Sequence, residues 1–352
     1  MNIAIIVGRT WHSRELAGGL RALGHDVILL STDPIPEAGC PRVPLRGMLR
    51  AVNRFPSSTF VASSIFGMFV LFRHRRTIAK ADLLIIWSSY AGPLLAARRW
   101  LDGKVVVVRG SHHSRRQREL LDGARRPNRA QVILDEYEYR AADLVTVPTD
   151  AIARDPYFGR GAYVRANPYG FPASNVPSSP PRAAPTSTLR VLFVGAFSYR
   201  KGADRLRALF STPQERFEFA LVGPIEHGSE QLPDHWIPYG ERRPDEVLDF
   251  MAQYHCLILP SREEGMARVG LEAMAMGLPI VVSPAAGLSE WCAGGGGVVV
   301  EDPENLPMWF AALEEVHDNF AVMEQSARRT AQSWTWLDYA RRLIEDVPGL
   351  ES

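Results

Sequence analysis

The sequence predicts an α/β protein in which two doubly wound, Rossmann-like domains follow one another along the chain. Short runs of Val, Ile and Leu alternate with amphipathic segments, which is typical of parallel sheets covered by helices on both faces. The alternation stops once, at 172–188, where five prolines occur among Ser, Ala and Thr, and then starts again. A chain of 352 residues is long enough for two domains of ordinary size.

The first half of the chain, residues 1–171, is predicted to be an N-terminal domain. Its predicted strands are NIAIIVG, DVILLS, DLLIIW, KVVVVRG and DLVTVPT, and SRELAGGLRALG is the helix between the first two. Each strand is a continuous apolar run, which indicates burial on both faces of a parallel sheet.

The second half repeats this pattern after a linker at 172–188. Residues 189–333 contain the predicted strands LRVLFVG, FEFALVG, CLILP, PIVVS and GVVVE, with helices near 203–210, 244–253, 268–276 and 304–318. Residues 334–352 are predicted to form a C-terminal helix, with a return to the N-terminal domain as one arrangement. Ligands of such sheets bind outside the carboxyl ends of the strands, so we expect the site in a cleft between two facing domains.

The formal net charge of +1 hides a difference between the halves. Lys and Arg exceed Asp and Glu by 11 in residues 1–175, whereas acidic residues are in excess by 10 in residues 176–352. The basic half could face anionic lipid, nucleic acid or a phosphorylated substrate, or it could pair with the acidic half. The three cysteines are far apart, and MNIAIIVGRT lacks the features of a signal peptide, so a cytoplasmic location is expected.

The stretch SSTFVASSIFGMFVLFRHRR, residues 57–76, combines aromatic and aliphatic residues with three arginines at its end. It is too short and too rich in serine to span a bilayer. An interfacial helix that docks on the inner face of an anionic membrane and a helix packed on the N-terminal sheet both fit this pattern.

The stretch SREEGMARVGLEAMAMGLPIVVS, residues 261–283, carries the chemistry. Glu264 follows a buried strand and Glu272 lies eight residues later, inside an apolar helix. A buried carboxylate needs a partner, and two hydroxyls of a sugar would satisfy it. The first turn of the helix offers backbone N–H groups and a positive dipole end to a phosphate. The alternative partners are Arg262 and Arg268, as surface ion pairs.

A second loop supports a nucleotide-diphosphate-sugar site. In LRVLFVGAFSYRKGADRL, Arg200, Lys201 and Gly202 lie between a strand and a helix. Lys201 is placed to act as a point charge on a diphosphate, and a solvated turn residue is the alternative.

These residues resemble the retaining glycosyltransferases of family four (group 1), which have the GT-B fold of two Rossmann-like domains. The family's Glu-x7-Glu motif is matched by Pro260, Ser261, Glu264, Gly265, Glu272, Ala273, Gly277 and Pro279, and its phosphate loop by Gly195 to Gly202. The resemblance implies that Lys201 holds the diphosphate, Glu272 the ribose, and Glu264 the transferred sugar. The implied donor-binding residues are Gly195, Arg200, Lys201, Glu264, Gly265, Met266, Ala267, Arg268, Val269 and Glu272.

The resemblance also implies an acceptor site with an active-site histidine in the N-terminal domain. The matching position is VVVVRGSHHSRRQ, where His113 is selected as catalytic beside Glu264 and Lys201; the alternative is that the histidines cap the next helix or face solvent. The acceptor-side residues are Gly8, Arg9, Arg109, His112 and His113. Ala196 replaces an arginine common in the family, a loss for which Arg200 would compensate, and Met266 replaces an aromatic residue.

The function expected from this likeness is that of a retaining hexosyltransferase. A UDP- or GDP-linked sugar would be moved to a hydroxyl of a glycan, lipid-linked or small-molecule acceptor, in polysaccharide, lipopolysaccharide or glycolipid assembly. The sequence has no Asp-x-Asp motif and no His/Cys cluster, so we expect no metal, no other cofactor and no nucleic-acid partner. Two alternatives remain: a weakly active or inactive nucleotide-binding scaffold, and a sugar-nucleotide epimerase.

Overall fold

The structure, a computed structural model, describes residues 1–7, 12–31, 59–121, 126–159, 161–172, 182–226 and 232–350. The chain divides into two compact units. Unit 1 comprises Met1–Gly170 and Trp336–Ser352, and unit 2 comprises Phe171–Thr335. Each unit contains one six-stranded parallel sheet, so the predicted α/β class is confirmed.

Unit 1 has the strand order β2-β1-β3-β4-β5-β6. The strands are β1 (Asn2–Val7), β2 (Asp26–Ser31), β3 (Leu83–Trp87), β4 (Lys104–Val108), β5 (Leu144–Val147) and β6 (Val164–Ala166). The helices are α1 (His12–Ala22), α2 (Thr59–Arg73), α3 (Arg75–Ala79), α4 (Gly92–Ala96), α5 (Ser114–Leu120), α6 (Arg129–Ala141) and α7 (Asp150–Ala153). The central strands are buried along their whole length, as expected for a sheet covered on both faces.

Unit 2 has the strand order β12-β11-β10-β7-β8-β9. The strands are β7 (Leu189–Val194), β8 (Phe217–Val222), β9 (Ile237–Gly240), β10 (Cys256–Leu259), β11 (Ile280–Val282) and β12 (Gly297–Val299). The helices are α8 (Ala203–Leu209), α9 (Pro244–Gln253), α10 (Arg268–Ala275), α11 (Ser289–Trp291), α12 (Leu306–Asp318) and α13 (Phe320–Ala331). Aromatic residues of β7, β8 and the following loops, Phe193, Phe197 and Phe219 among them, form its buried core.

The last helix, α14 (Trp336–Glu345), belongs to unit 1 and packs on α1. A side chain at Gly19 of α1 would come within 2.6 Å of the Trp336 carbonyl, so glycine permits the close approach of the two helices. The amide of Asn167 donates a hydrogen bond of 3.0 Å to the Tyr339 carbonyl. The C-terminal segment is therefore part of the domain formed by the first half of the chain.

Two strands that were not predicted from the sequence, β6 and β9, both lie at sheet edges. β6 reads Val-Arg-Ala and β9 reads Ile-Pro-Tyr-Gly, so neither shows the continuous apolar run of a strand buried between two neighbours. An edge strand pairs on one side only, which is also why β9 tolerates a proline. None of the helices in the described ranges has the length and apolar character needed to cross a membrane.

Strand order identifies the edge of each sheet at which a ligand is expected. In unit 2 the chain runs from β7 to β8 and β9 on one side, and then returns to β10 on the other side of β7. The crevice outside the carboxyl ends of β7 and β10 is therefore the topological switch point of unit 2. The corresponding strands of unit 1 are β1 and β3.

Candidate active site

Two loops meet at the switch point of unit 2. One is the tight turn Tyr199–Lys201, which follows β7, and the other runs from Pro260 to Ala267 after β10. Gly202 joins the turn to α8 with a φ of 80°, and a side chain there would collide with the Pro260 carbonyl. Glycine is needed at this position both for its backbone conformation and for the contact between the loops.

The contact between the loops brings together two of the predicted catalytic residues. The Lys201 ammonium forms an ion pair with the Glu264 carboxylate. The guanidinium of Arg200 lies 3.3 Å from the other carboxylate oxygen of Glu264. Glu264 is only 9% exposed, so this carboxylate is stabilised by two cations rather than by water.

Glu263 is a member of this cluster that the sequence analysis did not assign. It is 1% exposed, and its carboxylate lies 3.5 Å from Arg200. Its carbonyl also accepts a hydrogen bond of 2.9 Å from Arg200. The doubled glutamate of SREEG was the available sequence signal, because a second buried carboxylate also needs a cation. Arg200 is thus attached to the loop after β10, and the cluster of Arg200, Lys201, Glu263 and Glu264 balances two cations with two carboxylates.

The helix that follows this loop directs its amino end toward the same edge. Helix α10 begins at Arg268, with Ala267 as its N-cap residue. Met266 and Ala267, both predicted donor-binding residues, are 5% and 2% exposed, and the Ala267 N–H already donates a hydrogen bond of 2.9 Å to the Ala286 carbonyl. The first N–H groups of a helix have no partner within the helix and carry a partial positive charge, which suits a phosphate.

Glu272 lies one turn further along α10 and faces Arg268. The guanidinium donates a hydrogen bond of 2.9 Å to the carboxylate, an i, i+4 pair whose side chains are 35% and 24% exposed. Burial raises the pKa of Glu272, although the Arg268 charge opposes this effect. Arg268, one of the two alternative partners, therefore forms an ion pair with Glu272. Arg262, the other, does not pair with Glu264, because it instead pairs with Asp204 at 2.5 Å and stacks on Tyr199.

The residues predicted to face the acceptor are not grouped in a partly exposed cluster within the described part of the chain. Gly8 and Arg9 lie outside the described residues. Arg109 is 5% exposed and belongs to the interior of unit 1, where it donates to the His112 carbonyl, to Gln117 and to Asp135. Arg109 thus takes part in the hydrogen-bond network inside unit 1, and of the two histidines only His112 is partly exposed.

The structure places His113, the predicted catalytic histidine, in the interior of unit 1. Its side chain has no exposed surface and lies among the rings of Tyr139, Tyr157 and Phe158. Its Nδ1 accepts a hydrogen bond of 3.1 Å from the backbone N–H of Arg115, which makes it the N-cap of α5. Burial, with the Arg109 charge, lowers the pKa of His113 to about 4. The alternative stated for this histidine, helix capping, is the one observed.

Two buried carboxylates of α6 complete the interior network of unit 1. Asp135 and Glu138 have no exposed surface. Glu138 accepts hydrogen bonds from the backbone N–H groups of Ser89, at 2.7 Å, and Gly92, at 2.8 Å. Burial, followed by the Asp135 charge, raises the pKa of Glu138 to about 8. Sequence reasoning missed both residues, although two acids at i, i+3 on a helix that otherwise buries Val132 and Tyr139 were the available signal.

Within the described residues, one group of side chains has donor atoms close enough to meet a metal ion: Glu314, His317 and Asp318. Arg216 already lies 2.7 Å from Glu314 and 4.0 Å from Asp318, so a cation occupies this position. The group belongs to α12 and lies outside the cluster of Lys201 and Glu264. The expectation that the chemistry needs no metal remains a prediction.

Comparison with known proteins identifies the family. Residues 8–155 match the model of Glycosyltransferase Family 4, and residues 188–319 match that of Glycosyl transferases group 1. The chain belongs to the family 4 (group 1) glycosyltransferases. Its fold is the GT-B fold and is similar to that of sucrose-phosphate synthase from Thermosynechococcus elongatus, with a TM-score of 0.73, 18% identity and coverage of 98% of both chains.

Two curated relatives of this glycosyltransferase show how much of the chain is shared. The D-inositol 3-phosphate glycosyltransferase of Corynebacterium urealyticum is 24% identical over 326 residues, which cover 76% of this chain and 77% of the relative. A glycosyltransferase of Methanocaldococcus jannaschii is 28% identical over 155 residues, which cover 41% of this chain and 44% of the relative. The chain thus spans less than half the length of the second protein.

Proposed function

We propose that this chain transfers a sugar from a nucleoside-diphosphate donor to an acceptor hydroxyl with retention of the anomeric configuration. The observation that carries the proposal is the ion pair of Lys201 and Glu264 at the carboxyl ends of β7 and β10. These are the strands between which a ligand of a doubly wound sheet binds. The family relationship supports the reaction class. A screen of nucleotide sugars and acceptors would identify the donor sugar, the nucleotide base and the acceptor.

The cluster explains how a donor would be accommodated. Arg200 and Lys201 are balanced by Glu263 and Glu264, so an arriving diphosphate must compete for the cations. We propose that Lys201 turns from Glu264 to the diphosphate and that α10 supplies N–H groups to it. Glu264 then keeps Arg200 as its cation and accepts hydrogen bonds from hydroxyls of the transferred sugar. Arg200 stays with Glu263 and provides the charge that Ala196 cannot.

The proposed step is attack by the acceptor hydroxyl on the face from which the diphosphate leaves. The bond between the anomeric carbon and the diphosphate oxygen breaks, a bond to the acceptor oxygen forms on the same face, and the acceptor proton passes to the departing diphosphate. Lys201 and the start of α10 stabilise the charge that develops on the leaving group, a contribution of about 3–4 kcal/mol per donor in well-studied sites. Glu264 is occupied by hydroxyls and forms no covalent bond.

The experiment uses the purified chain with UDP- and GDP-linked hexoses. Nucleotide release identifies the donor, and water serves as acceptor when no other is known. Proton NMR of the first hexose formed reports its configuration before mutarotation. An α sugar from an α donor supports retention, and a β sugar overturns it. A Glu264→Ala variant should turn over more slowly without accumulating a glycosylated protein, which mass spectrometry would detect.

The same assay separates the two alternatives. A scaffold would bind the nucleotide without releasing it from the sugar, and an epimerase would change the sugar of the donor while the diphosphate bond stays intact. We further propose that the acceptor is a glycan, a lipid-linked sugar or a small metabolite. The D-inositol 3-phosphate glycosyltransferase relative is a reason to include inositol phosphates among the acceptors screened.

A further inference from the structure

The outward face of α2 is apolar and exposed. Phe66 and Val70 point into unit 1 and are completely buried, as expected for a helix packed on a sheet. Met68 and Phe72, one turn apart on the other face, are 56% and 84% exposed. A helix that is apolar all round is normally covered on every side, so the exposed face of α2 indicates that something covers it.

Cations follow this apolar face directly. Arg73, Arg75 and Arg76 are exposed, and none of them forms an ion pair within the described part of the chain. Arginines elsewhere in unit 1 commonly have acidic partners, for example Arg98 with Asp143 and Arg115 with Glu136. The surrounding sequence is also basic: residues 38–81 contain eight Lys and Arg and no Asp or Glu.

A surface cavity joins the apolar and the basic parts. It has a volume of about 610 Å³ and is lined by Phe69, Phe72, Arg73, Arg75, Arg76 and Thr77, among others. Arginines around a cavity suit an anionic group, and an aromatic residue at its edge suits the boundary between headgroups and acyl chains. A soluble anion would use the arginines but would leave Phe72 in water.

We propose that the corner formed by α2 and α3, residues 68–80, docks on the surface of an anionic phospholipid bilayer. Met68 and Phe72 enter the interfacial layer, and Arg73, Arg75 and Arg76 meet headgroup phosphates. The absence of acidic residues from 59–81 provides the charge complementarity that favours a lipid surface over a second copy of the chain. This docking is independent of the proposed glycosyl transfer.

The position of this corner in the fold has a consequence for catalysis. A second cavity of about 730 Å³ contains Arg76 and Lys80 together with Asn2 and Asp26, the first residues of β1 and β2. The docking corner therefore lies at the amino ends of these strands. Ligands of such sheets bind at the carboxyl ends. Docking through this corner would hold unit 1 at the membrane without covering the carboxyl-end edge of its sheet.

Vesicle flotation of the whole chain tests the proposal. The protein should float with vesicles of phosphatidylcholine mixed with phosphatidylglycerol, and should remain at the bottom with phosphatidylcholine alone. Phe72→Ser should reduce the partition coefficient about tenfold, because the variant has no large apolar side chain to transfer from water into the bilayer interface. The triple variant Arg73→Gln, Arg75→Gln and Arg76→Gln should reduce it about a hundredfold, since each basic residue near an anionic surface contributes about fivefold.

Matched controls come from the same unit. Ile133 is 68% exposed and Arg154 is exposed and paired with Asp150, so Ile133→Ser and Arg154→Gln should leave flotation unchanged. Thermal melting confirms that each variant is folded. Equal recovery with neutral vesicles overturns the proposal, and so does full binding by Phe72→Ser, which would indicate a purely electrostatic anion site. A change from dimer to monomer in Phe72→Ser during gel filtration also overturns it, because a second copy would then cover α2.

Discussion

The two units place charged clusters at similar points of their sheets, but the clusters differ in their exposure to solvent. In unit 2, Lys201, Arg200 and Glu264 follow central strands and retain side-chain exposures of 14%, 22% and 10%. In unit 1, Arg109, Asp135 and Glu138 surround the loops after β3 and β4; the side chains of Arg109 and Asp135 are 7% and 0% exposed, and Glu138 has no exposed surface. A partly exposed cluster can exchange partners with a ligand, whereas a sealed cluster can only hold the fold.

The sealed cluster fixes a strained loop. Ser89 has a φ of 74°, the left-handed region that residues other than glycine seldom adopt. Its N–H is bonded to Glu138, and Gly92 at the start of α4 is bonded to the other oxygen of the same carboxylate. Strain of this kind persists where the surroundings impose it, and here the hydrogen bonds of Glu138 do so.

The largest effect is expected from Glu138→Ala. The change leaves the partly buried N–H of Ser89 and the buried N–H of Gly92 without this partner and opens a cavity, so the free energy of unfolding should fall by about 3–5 kcal/mol. Urea unfolding measures it. Glu136→Ala is the control on the same helix, because Glu136 pairs with the exposed Arg115. A loss below about 1 kcal/mol in Glu138→Ala would contradict the role of the sealed cluster.

The second prediction concerns His113→Asn, which keeps an N-cap residue but removes the titrating ring. The pKa of His113 is about 4 in the fold and 6.5 in the unfolded chain. Between these values the unfolded state binds the extra proton, so wild-type stability should fall by up to about 3 kcal/mol as pH drops from 6.5 to 4. The variant should lose that part of the acid dependence.

Urea unfolding at neutral pH and near pH 4.5 checks this, with His112→Asn as the neighbouring control. Identical acid dependence in His113→Asn and the wild type would show that the ring does not titrate as its burial implies. Turnover is the second measurement. A folded His113→Asn protein without activity would indicate a catalytic role for this histidine. Retained activity would indicate that His113 serves the fold and not the reaction.

The third prediction tests the exposed cluster. Lys201→Ala should weaken the binding of nucleoside diphosphates tenfold to a hundredfold, because a charge-assisted contact is worth roughly 1.5–3 kcal/mol. Stability should change little, since Arg200 remains beside Glu264. Calorimetry with UDP and GDP gives the affinities. Lys104→Ala is the control. Lys104 lies at the start of β4 in unit 1, where its ammonium is 3.9 Å from the Asp143 carboxylate, so its removal should not change nucleotide affinity. Unchanged affinity in Lys201→Ala would remove the diphosphate assignment.

The contrast between the clusters also explains what the sequence could predict. The continuous apolar strands and the loops with Lys201 and Glu264 were recognisable because their patterns are local. The burial of His113 and Arg109 was not, since it depends on Tyr139, Asp135 and Phe158, and these contacts join residues 26 to 45 positions apart in the chain. A histidine that caps a helix from the interior and one that serves a substrate have the same local sequence.

The partners of the cations in the exposed cluster were likewise predictable only where the contact is local in the sequence. The sequence placed Arg262 near Glu264, but Arg262 is directed to Asp204 on α8 and Arg200 takes its place. This choice is set by the contact between two loops after β7 and β10, which no single stretch of sequence encodes. The pair of Arg268 and Glu272, four residues apart on one helix, was recognisable as an alternative because it is local.

The smallest effect is expected at Glu272, whose proposed partner is the ribose of the donor. Glu272→Gln keeps the shape of the side chain but replaces a charged acceptor by a neutral one, a difference of about 1 kcal/mol in a hydrogen bond. The Michaelis constant for the donor should therefore rise about fivefold. Stability should hardly change, because the variant loses an i, i+4 pair worth about 0.3–0.5 kcal/mol and also loses the cost of burying a carboxylate. That cost is what raises the pKa of Glu272.

A nucleotide without ribose hydroxyls makes this test specific. If Glu272 accepts hydrogen bonds from the ribose, the wild type should lose affinity for a 2′,3′-dideoxy nucleoside diphosphate, and the variant should bind that nucleotide as well as the wild type does. The two changes then act on one interaction and their effects are not additive. Additive effects would show that Glu272 and the ribose do not meet, and would leave Glu272 as the partner of Arg268. A variant that unfolds would show instead that this pair supports α10, the helix on which the proposed diphosphate site depends.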